Sequence, residues 1–252
     1  MDLKALVLIP ARFASTRFPG KPLAKINSKP MIQWVYEGCT QLTKDFKNTE
    51  VAVVTDNDDI ESCVKAFGGV VVRVDDDLPS GSERIYRAYE RYFSDKGFDF
   101  VVNVQGDEPL IESELLKTLL SFHENKSFDV ATVIKRMPQS DVGYLDPNKV
   151  KAIYSEKNGQ CHYFTRSSFP YNRNNVTGLD WFLHVGIYSF KPHVLKEFCS
   201  LEMSKNEDIE CLEQLRLLDN GYTIGAVETN VTLSGVDTPE DIAFIEGVFN
   251  GR

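Results

Sequence analysis

Short apolar runs alternate with amphipathic helical patterns through the first half of this 252-residue chain. The runs have the length and composition of buried strands, and they lie at residues 6–10, 51–55, 70–74, 100–104 and 130–134. Between them, apolar side chains recur at three- and four-residue steps, which is the period of a helix. Strands that alternate with helices in this way are joined by right-handed crossovers. The alternation therefore predicts an α/β fold with a doubly wound, mostly parallel sheet.

The second half contains the same element types in a less regular order. We expect strands at residues 150–154, 161–164 and 184–190, with a turn at Lys157-Asn158-Gly159 between the first two. A helix is predicted over residues 209–218. The last helix is predicted to start at Thr238-Pro239, with threonine at the N-cap and proline at the first helical position. No linker separates the halves, so residues 1–252 are predicted to form a single domain.

Composition argues against several classes of protein. No apolar run approaches the roughly 20 residues that span a bilayer, and the run before Arg12 is too short for a signal-peptide core. The five cysteines are scattered and form no Cys-x-x-Cys pair, which argues against a disulfide framework and a structural zinc site. A net charge of −9 disfavours non-specific nucleic-acid binding. We therefore expect a cytoplasmic protein with neither a membrane nor a nucleic-acid partner.

A cationic loop follows the first predicted strand. Six basic residues and no acidic one lie from Lys4 to Lys29, and three of them, Arg12, Arg17 and Lys21, come directly after the strand. Ligands of open α/β sheets bind outside the carboxyl ends of the strands. Three cations on a backbone of small residues can hold a polyphosphate. The alternative is a solvated basic loop.

Two aspartates follow other predicted elements. Asp107 comes just after the strand at residues 100–104, beside Gly106, and Asp237 comes just before the last helix. Mg²⁺ typically takes one or two carboxylates, water and substrate phosphate oxygens. The pair therefore suits a magnesium ion. The alternative is structural, with Asp107 in a turn and Asp237 beside a helix cap.

The cationic loop resembles the signature of a known enzyme family. Residues 9–23 read Ile-Pro-Ala-Arg-x-x-Ser-Thr-Arg-Phe-Pro-Gly-Lys-Pro-Leu, which is similar to the opening of the 3-deoxy-manno-octulosonate (Kdo) cytidylyltransferases. Gln-Gly-Asp-Glu-Pro at 105–109 and Gly-Val-Asp-Thr-Pro-Glu-Asp at 235–241 resemble the stretches that supply this family's magnesium aspartates. The resemblance implies a fold of the nucleotide-diphospho-sugar transferase type, with an inserted subregion for acceptor binding and dimerisation.

The reaction that the resemblance implies is transfer of CMP from CTP to the anomeric hydroxyl of Kdo. It forms CMP-Kdo and pyrophosphate for lipopolysaccharide biosynthesis. Residues 1–134 would mainly bind the nucleotide, and residues 135–252 would mainly bind the sugar acid and carry a homodimer surface. The implied partners are CTP, a 3-deoxy sugar acid, Mg²⁺ and a second copy of the chain. The same reaction on 8-amino-Kdo or another sugar acid stays open, as does a sugar-1-phosphate nucleotidyltransferase of the same fold.

The resemblance also implies roles for individual side chains around the nucleotide. Catalysis is expected from four residues: Arg12, Arg17, Lys21 and Asp107. Nucleotide binding is expected from eight residues: Pro10, Ala11, Arg12, Lys21, Ser80, Gly81, Gln105 and Asp107. Magnesium is expected to bind to Asp107 and Asp237.

Acceptor recognition is expected from three stretches that resemble the family's sugar-binding segments, at residues 163–167, 184–188 and 212–216. Arg166 would meet the sugar carboxylate, and the hydroxyls would meet His184, Tyr188, Glu213 and Gln214. The alternatives are structural. His184 and Tyr188 could be ordinary sheet residues, and Glu213 and Arg216 could form an exposed helix pair at three-residue spacing.

One segment departs from the family's pattern. The residues before Ser80-Gly81-Ser82-Glu83-Arg84 read Asp75-Asp76-Asp77-Leu78, and Leu78 stands where the family has histidine. Three acids near a triphosphate leave the nucleotide contacts of this segment open, and a solvated turn is the alternative.

Two other classes of protein are alternatives to an enzyme of this family. A dinucleotide-dependent oxidoreductase is disfavoured, because no Gly-x-Gly-x-x-Gly follows the first strand. A non-catalytic nucleotide-binding protein is the remaining alternative, and the presence of Lys21, Asp107 and Asp237 argues against it.

Overall fold

The computed structural model describes residues 3–14, 18–78, 80–231 and 233–251, and the chain divides into two compact units. The first unit combines Met1–Lys117 with Thr232–Arg252, and the second is Thr118–Val231. The strands are β1 (Lys4–Ala11), β2 (Lys25–Ile26), β3 (Lys29–Pro30), β4 (Asn48–Thr55), β5 (Val71–Arg73), β6 (Phe100–Asn103), β7 (Val130–Pro138), β8 (Lys151–Ser155), β9 (Gln160–Thr165), β10 (Asp180–Phe190) and β11 (Ile224–Glu228). The helices are α1 (Met31–Thr40), α2 (Asp58–Ala66), α3 (Gly81–Tyr92), α4 (Ser113–Asn125), α5 (Pro192–Phe198), α6 (Lys205–Glu210), α7 (Gln214–Asp219) and α8 (Asp241–Asn250).

The first unit is built on parallel strands in the order β5-β4-β1-β6. Every residue of β1 from Ala5 to Ala11 is buried, as expected for a strand with a neighbour on each side. The helices between these strands begin at side-chain caps, because Asn57 and Ser80 accept hydrogen bonds from backbone N–H groups of α2 and α3. The strands and helices predicted from β1 to β6 are confirmed, and so is the α/β class.

The carboxyl ends of these parallel strands meet at one edge. Ala11 at the end of β1 pairs with Thr55 at the end of β4, and Thr55 pairs with Arg73 at the end of β5. Asn103, the last residue of β6, pairs with Leu8. The loops that follow all four strands therefore start from the same side of the sheet, where the sequence predicts the ligand site.

The strands of the second unit pair in a mixed pattern. β7 and β11 are parallel, whereas β10 is antiparallel to β7 and β8, and β9 is antiparallel to β8 and β11. The expectation of a mostly parallel sheet therefore holds for the first unit and is wrong for the second. The reason is local, since β8 and β9 are joined by a four-residue connection in which Gly159 has φ 81°. So short a connection joins antiparallel strands only.

Two helix predictions need correction. The helix expected over residues 209–218 is two short helices, because Cys211 adopts a left-handed conformation with φ 51° between α6 and α7. The last helix begins at Asp241 rather than next to Thr238. The carboxylate of Asp241 accepts from the backbone N–H groups of Asp237 and Thr238, at 2.8 Å each, and so holds a turn ahead of the helix. None of the described helices is long and apolar enough to cross a membrane.

Candidate active site

Three residues predicted to bind nucleotide lie together at the carboxyl end of β1. A Cβ atom on Gly81 would be 3.5 Å from Pro10 Cγ and 3.8 Å from Gln105 Oε1, so Gly81, Pro10 and Gln105 are neighbours. At Gly106 a Cβ atom would lie 2.8 Å from the carbonyl oxygen of Pro10 and 3.7 Å from the Cβ of Ala11. Only glycine fits at Gly106 without displacing the end of β1. The loop after β6 is thereby packed directly on the first strand.

The N-terminus of α3 starts at the same place. Ser80 is its N-cap, and the Ser80 Oγ accepts from the backbone N–H of Glu83 at 3.1 Å. The unpaired N–H groups and the dipole of a helix N-terminus favour a negatively charged group. Ser80 and Gly81 can therefore offer backbone donors to a phosphate or to polar atoms of a nucleotide.

Arg12, the first cation of the loop after β1, is already hydrogen-bonded. Its Nη2 donates to the carbonyl oxygen of Leu78 at 2.6 Å, across 66 residues of sequence. The loop closes at Gly20, which has φ 70° and donates its N–H to the carbonyl of Phe13 at 2.9 Å. Arg17, predicted to be catalytic, lies outside the described residues.

Lys21 joins the two predicted magnesium aspartates. Its Nζ donates to Asp107 Oδ2 at 2.5 Å and to the carbonyl oxygen of Val236 at 2.8 Å, and lies 4.0 Å from Asp237 Oδ1. The side chain of Lys21 is only 15% exposed, against 29% for Asp107 and 57% for Asp237. One ammonium group is therefore held between two carboxylates that are 130 residues apart in sequence.

Backbone contacts hold the two aspartate loops together. The N–H of Val236 donates to the carbonyl of Asp107 at 2.9 Å. A Cβ atom on Gly235 would lie 3.2 Å from Glu108 Oε1, so the loops are in close contact on both sides of Asp107. The structural alternatives for Asp107 and Asp237 do not account for this convergence on Lys21. The sequence contains no signal for Val236, because its contacts here are made by its backbone N–H and carbonyl.

Two carboxylates fit a magnesium ion better than a transition metal. The described residues contain no group of three or more His, Cys, Asp or Glu side chains that could hold a metal ion. Mg²⁺ needs only one or two carboxylates, since water and substrate phosphates complete its octahedron. The carboxylates of Asp107 and Asp237 provide hard oxygen donors, and both lie next to the ammonium group of Lys21. They can therefore hold such an ion together with a phosphate.

In the second unit, the predicted acceptor residue Arg166 is tied to backbone oxygens. Its guanidinium donates to the carbonyls of Glu210, Cys211 and Pro147 at 2.6, 3.3 and 3.0 Å. These bonds use three of the five N–H donors of an arginine. Beneath it, the fully buried Lys151 donates to the carbonyl of Arg166 at 3.2 Å. Lys151 was missed, since a lysine in a strand pattern gives no signal of burial.

His184 and Tyr188 lie on β10 and contact each other, with ring centroids 5.4 Å apart. Thr132 Oγ1 donates to the carbonyl of Ile187 at 2.8 Å and lies 3.0 Å from His184 Nε2. With the hydroxyl proton on the Ile187 carbonyl, we assign the proton of the neutral His184 ring to Nε2, which leaves Nδ1 as an acceptor. Burial lowers the pKa of His184 to about 3, so the ring is neutral at pH 7.

Glu213 and Gln214 begin α7 beside these rings. Burial, with the Glu213 carboxylate nearby, raises the pKa of Tyr188 well above its ordinary value. The side-chain nitrogen of Gln214 is buried and has no hydrogen-bond partner among the described residues. A buried amide without a partner is unfavourable in the free protein and can be satisfied by a ligand oxygen.

The interpretation of Glu213 and Arg216 as an exposed helix pair is wrong. Arg216 is buried, and it forms a two-point ion pair with Glu207 of α6, at 2.6 and 2.7 Å. The guanidinium also lies over the ring of Phe198, 5.0 Å from its centroid. This pair fixes α7 on α6 and thereby fixes the start of α7, where Glu213 and Gln214 lie.

Comparison with known proteins gives one consistent result. A family model described as Cytidylyltransferase matches residues 6–224. The chain is 42% identical to a 3-deoxy-manno-octulosonate cytidylyltransferase of Cytophaga hutchinsonii, with 96% of each chain covered. It is also 42% identical to the protein of that name from Parabacteroides distasonis, with 95% of this chain and 96% of the relative covered.

A solved structure agrees with these relatives. It is a CMP:2-keto-3-deoxy-manno-octonic acid synthetase complexed with CTP, and it is 36% identical to this chain. The alignment covers 98% of this chain and 99% of that one, with a TM-score of 0.89.

Proposed function

This chain belongs to the 3-deoxy-manno-octulosonate cytidylyltransferase family, and we propose that it transfers the cytidylyl group of CTP to the anomeric hydroxyl of Kdo, with release of pyrophosphate. The observation that carries the proposal is the ammonium of Lys21, held between Asp107 and Asp237 at the edge where the parallel strands end. Such an arrangement provides both a cation for phosphate oxygens and carboxylates for a dication, which phosphoryl transfer needs more than covalent chemistry.

Three cations are proposed to bind the triphosphate. The acceptor oxygen attacks the α-phosphorus, the bond to the β-phosphate oxygen breaks, and charge grows on the departing pyrophosphate. Lys21 and Arg17 stabilise that growing charge, and Arg12 binds beside the triphosphate. Lys21 supports this role because its Nζ is fixed by a carboxylate and by a backbone oxygen, so it needs little reorganisation.

Mg²⁺ is the proposed cofactor, with Asp107 and Asp237 as its protein ligands. When bound, Mg²⁺ polarises the phosphate and lowers the proton affinity of a coordinated hydroxyl. The protein's own contribution is to hold both carboxylates in one position through the contact of Val236 with Asp107 and that of Asp241 with Asp237.

The remaining nucleotide contacts are proposed for the residues around the end of β1. Ser80 and Gly81 offer N–H groups at the start of α3, and Gln105 offers a side-chain amide. Pro10 and Ala11 are apolar residues at the end of β1, and both pack against Gly106. Their mutual contacts support a common site for these five residues.

The acceptor is proposed to be recognised in the second unit. Arg166 meets the sugar carboxylate with its remaining donors, and Glu213 and Gln214 meet hydroxyl groups. His184 accepts at its Nδ1, while Tyr188 keeps its proton and can donate, since its pKa is raised. The partnerless nitrogen of Gln214 is the strongest support for a ligand here.

We further propose a homodimer, a cytoplasmic location and a role in lipopolysaccharide biosynthesis. Exposed apolar side chains in the second unit support the dimer, namely Val142, Leu145, Tyr171 and Val176. All five cysteines are free thiols, which supports a reducing compartment. The pathway follows from the proposed product alone.

The test is a pyrophosphate-release assay with CTP, Mg²⁺ and Kdo. We expect turnover that depends on all three components and yields CMP-Kdo by mass spectrometry. Parallel reactions replace Kdo with its 8-amino analogue, a sialic-type acid or a sugar 1-phosphate, and CTP with other nucleoside triphosphates. Faster turnover with one of these would reassign the substrate, and absence of pyrophosphate with every pair would overturn the proposal.

A further inference from the structure

The acidic segment before α3 is anchored at its start by a buried arginine. Val74 donates its N–H to the carbonyl of Thr55 at 3.0 Å, and its own carbonyl accepts from Arg84 Nη1 at 2.6 Å. Arg84 is only 1% exposed and also pairs with Asp56 at 2.9 Å. The segment therefore leaves the sheet from a fixed point.

The next residues are held by ion pairs on the surface. Asp75 accepts from Arg73 at 2.7 Å, and both carboxylate oxygens of Asp76 pair with Arg91 of α3, at 2.7 and 2.9 Å. Arg91 holds the pKa of Asp76 below its ordinary value. Asp77, by contrast, is exposed. Two of the three acids are thus compensated by arginines, and the segment is more than a solvated turn.

The far end of the segment contacts Arg12, one of the three cations proposed to bind the triphosphate. Leu78 presents its carbonyl to Arg12 Nη2 at 2.6 Å, so the position of the guanidinium depends on the position of this backbone. On the basis of the function proposed above, we propose that residues 74–78 position Arg12 for the triphosphate, and that the Asp76–Arg91 ion pair holds them there. Asp76 and Arg91 are positioning residues that act through Leu78.

If Asp76 acted through its charge alone, Asp76→Asn would change the KM for CTP in the opposite direction. If Asp76 only repelled the triphosphate, Asp76→Asn would remove a negative charge and lower the KM for CTP. A positioning role predicts a higher KM, because the segment loses its link to α3 and Arg12 loses a fixed acceptor. The sign of the change in KM therefore separates the two explanations.

The experiment compares Asp76→Asn, Arg91→Ala and the double variant with two matched controls. Asp77→Asn removes the neighbouring exposed charge. Arg87→Ala removes an exposed arginine of α3 that pairs with Glu90 and acts on Asp76 through its charge, without an ion pair to it. We expect each single variant to raise the KM for CTP about three- to fivefold, the range of a partly exposed ion pair. The double variant should match the singles, and the KM for the sugar acid and the melting temperature should stay unchanged.

Each outcome decides between explanations. A lowered KM in both aspartate variants, or a double variant restored to the wild-type KM, would overturn positioning in favour of charge alone. Equal KM values in Asp76→Asn and Asp77→Asn would also overturn it. If the wild-type protein releases no pyrophosphate from CTP with any acceptor, the proposed function fails and the role of residues 74–78 fails with it.

Discussion

The two units carry their polar side chains in different ways. In the first, Lys21, Asp107 and Asp237 are charged, partly exposed and paired with each other on loops after strands. In the second, His184 is neutral on a strand, and Gln214 is buried without a partner at a helix start. A charged cluster near water can exchange its partners when a charged ligand arrives. Neutral groups that are largely removed from water have their donors and acceptors fixed beforehand, because rearranging them in a low dielectric is costly.

The largest expected effect tests whether the second unit depends on its buried ion pair. Arg216→Met leaves Glu207 buried without its partner, and we expect the free energy of unfolding to fall by about 3–5 kcal/mol. Urea unfolding measures it. Arg87→Met, at an exposed ion pair, is the control and should change stability by less than about 0.5 kcal/mol. If Arg216→Met had the same urea midpoint of unfolding as the wild-type protein, α6 and α7 would not depend on the ion pair.

The next effect tests the charged cluster of the first unit. Asp107→Asn should lower turnover about 100- to 1000-fold, or about 2.7–4 kcal/mol in the barrier, with little change in melting temperature. Asp99→Asn is the control, since Asp99 is an exposed carboxylate that accepts from the N–H of Lys4. A loss of similar size with normal folding is expected for Arg17→Ala. Unchanged steady-state turnover would remove the substituted residue from the mechanism.

A third effect tests the buried histidines of the second unit, which contains all four histidines of the chain. Burial lowers the pKa of His123 to about 4 and that of His184 to about 3, against about 6.5 in an unfolded chain. The unfolded state therefore binds protons first, so stability is full above pH 6.5 and falls as the pH drops towards 4. Each group should cost about 2 kcal/mol at pH 5.

Urea unfolding at pH 7 and pH 5 measures this loss. His184→Asn should remove about half of the difference, whereas His193→Gln, at an exposed position, serves as the matched control. Equal pH dependence in all three proteins would contradict the assignment to His184.

The smallest effect concerns the partnerless amide in the second unit. Gln214→Leu should raise the KM for Kdo about three- to tenfold, the value of one hydrogen bond, while leaving the KM for CTP unchanged. Stability should rise slightly, because a buried polar group without a partner is removed. Gln160→Leu in β9 is the control. A parallel loss of stability would indicate that Gln214 is a packing residue.

The sequence was sufficient for the strands that begin the first unit because their signals are local. The apolar runs at residues 6–10 and 51–55 gave β1 and β4 with ends within a few residues of the structure. In the second unit the fold depends on pairing between strands that are distant in sequence. The break at Cys211 has no glycine or proline to mark it, because a left-handed cysteine is held by contacts rather than by its own preference.

The sequence could predict which residues belong to the candidate site, but not which contacts they make. Lys21, Asp107 and Asp237 could be named from sequence, yet the single ammonium between two carboxylates is a property of the folded chain. The acceptor of Arg12 is a backbone oxygen at Leu78, and a backbone oxygen has no sequence signature. Contacts of this kind depend on how separate loops meet, which no local pattern encodes.

The bond from Lys21 to Val236 spans 215 residues. During translation the lysine emerges from the ribosome long before its partner carbonyl exists, while the intervening Thr118–Val231 unit is already complete. The cluster of Lys21, Asp107 and Asp237 therefore assembles only once residue 237 has left the exit tunnel. A nascent polypeptide stalled before Val236 lacks both Asp237 and the carbonyl that fixes Lys21, so its first unit cannot form this cluster.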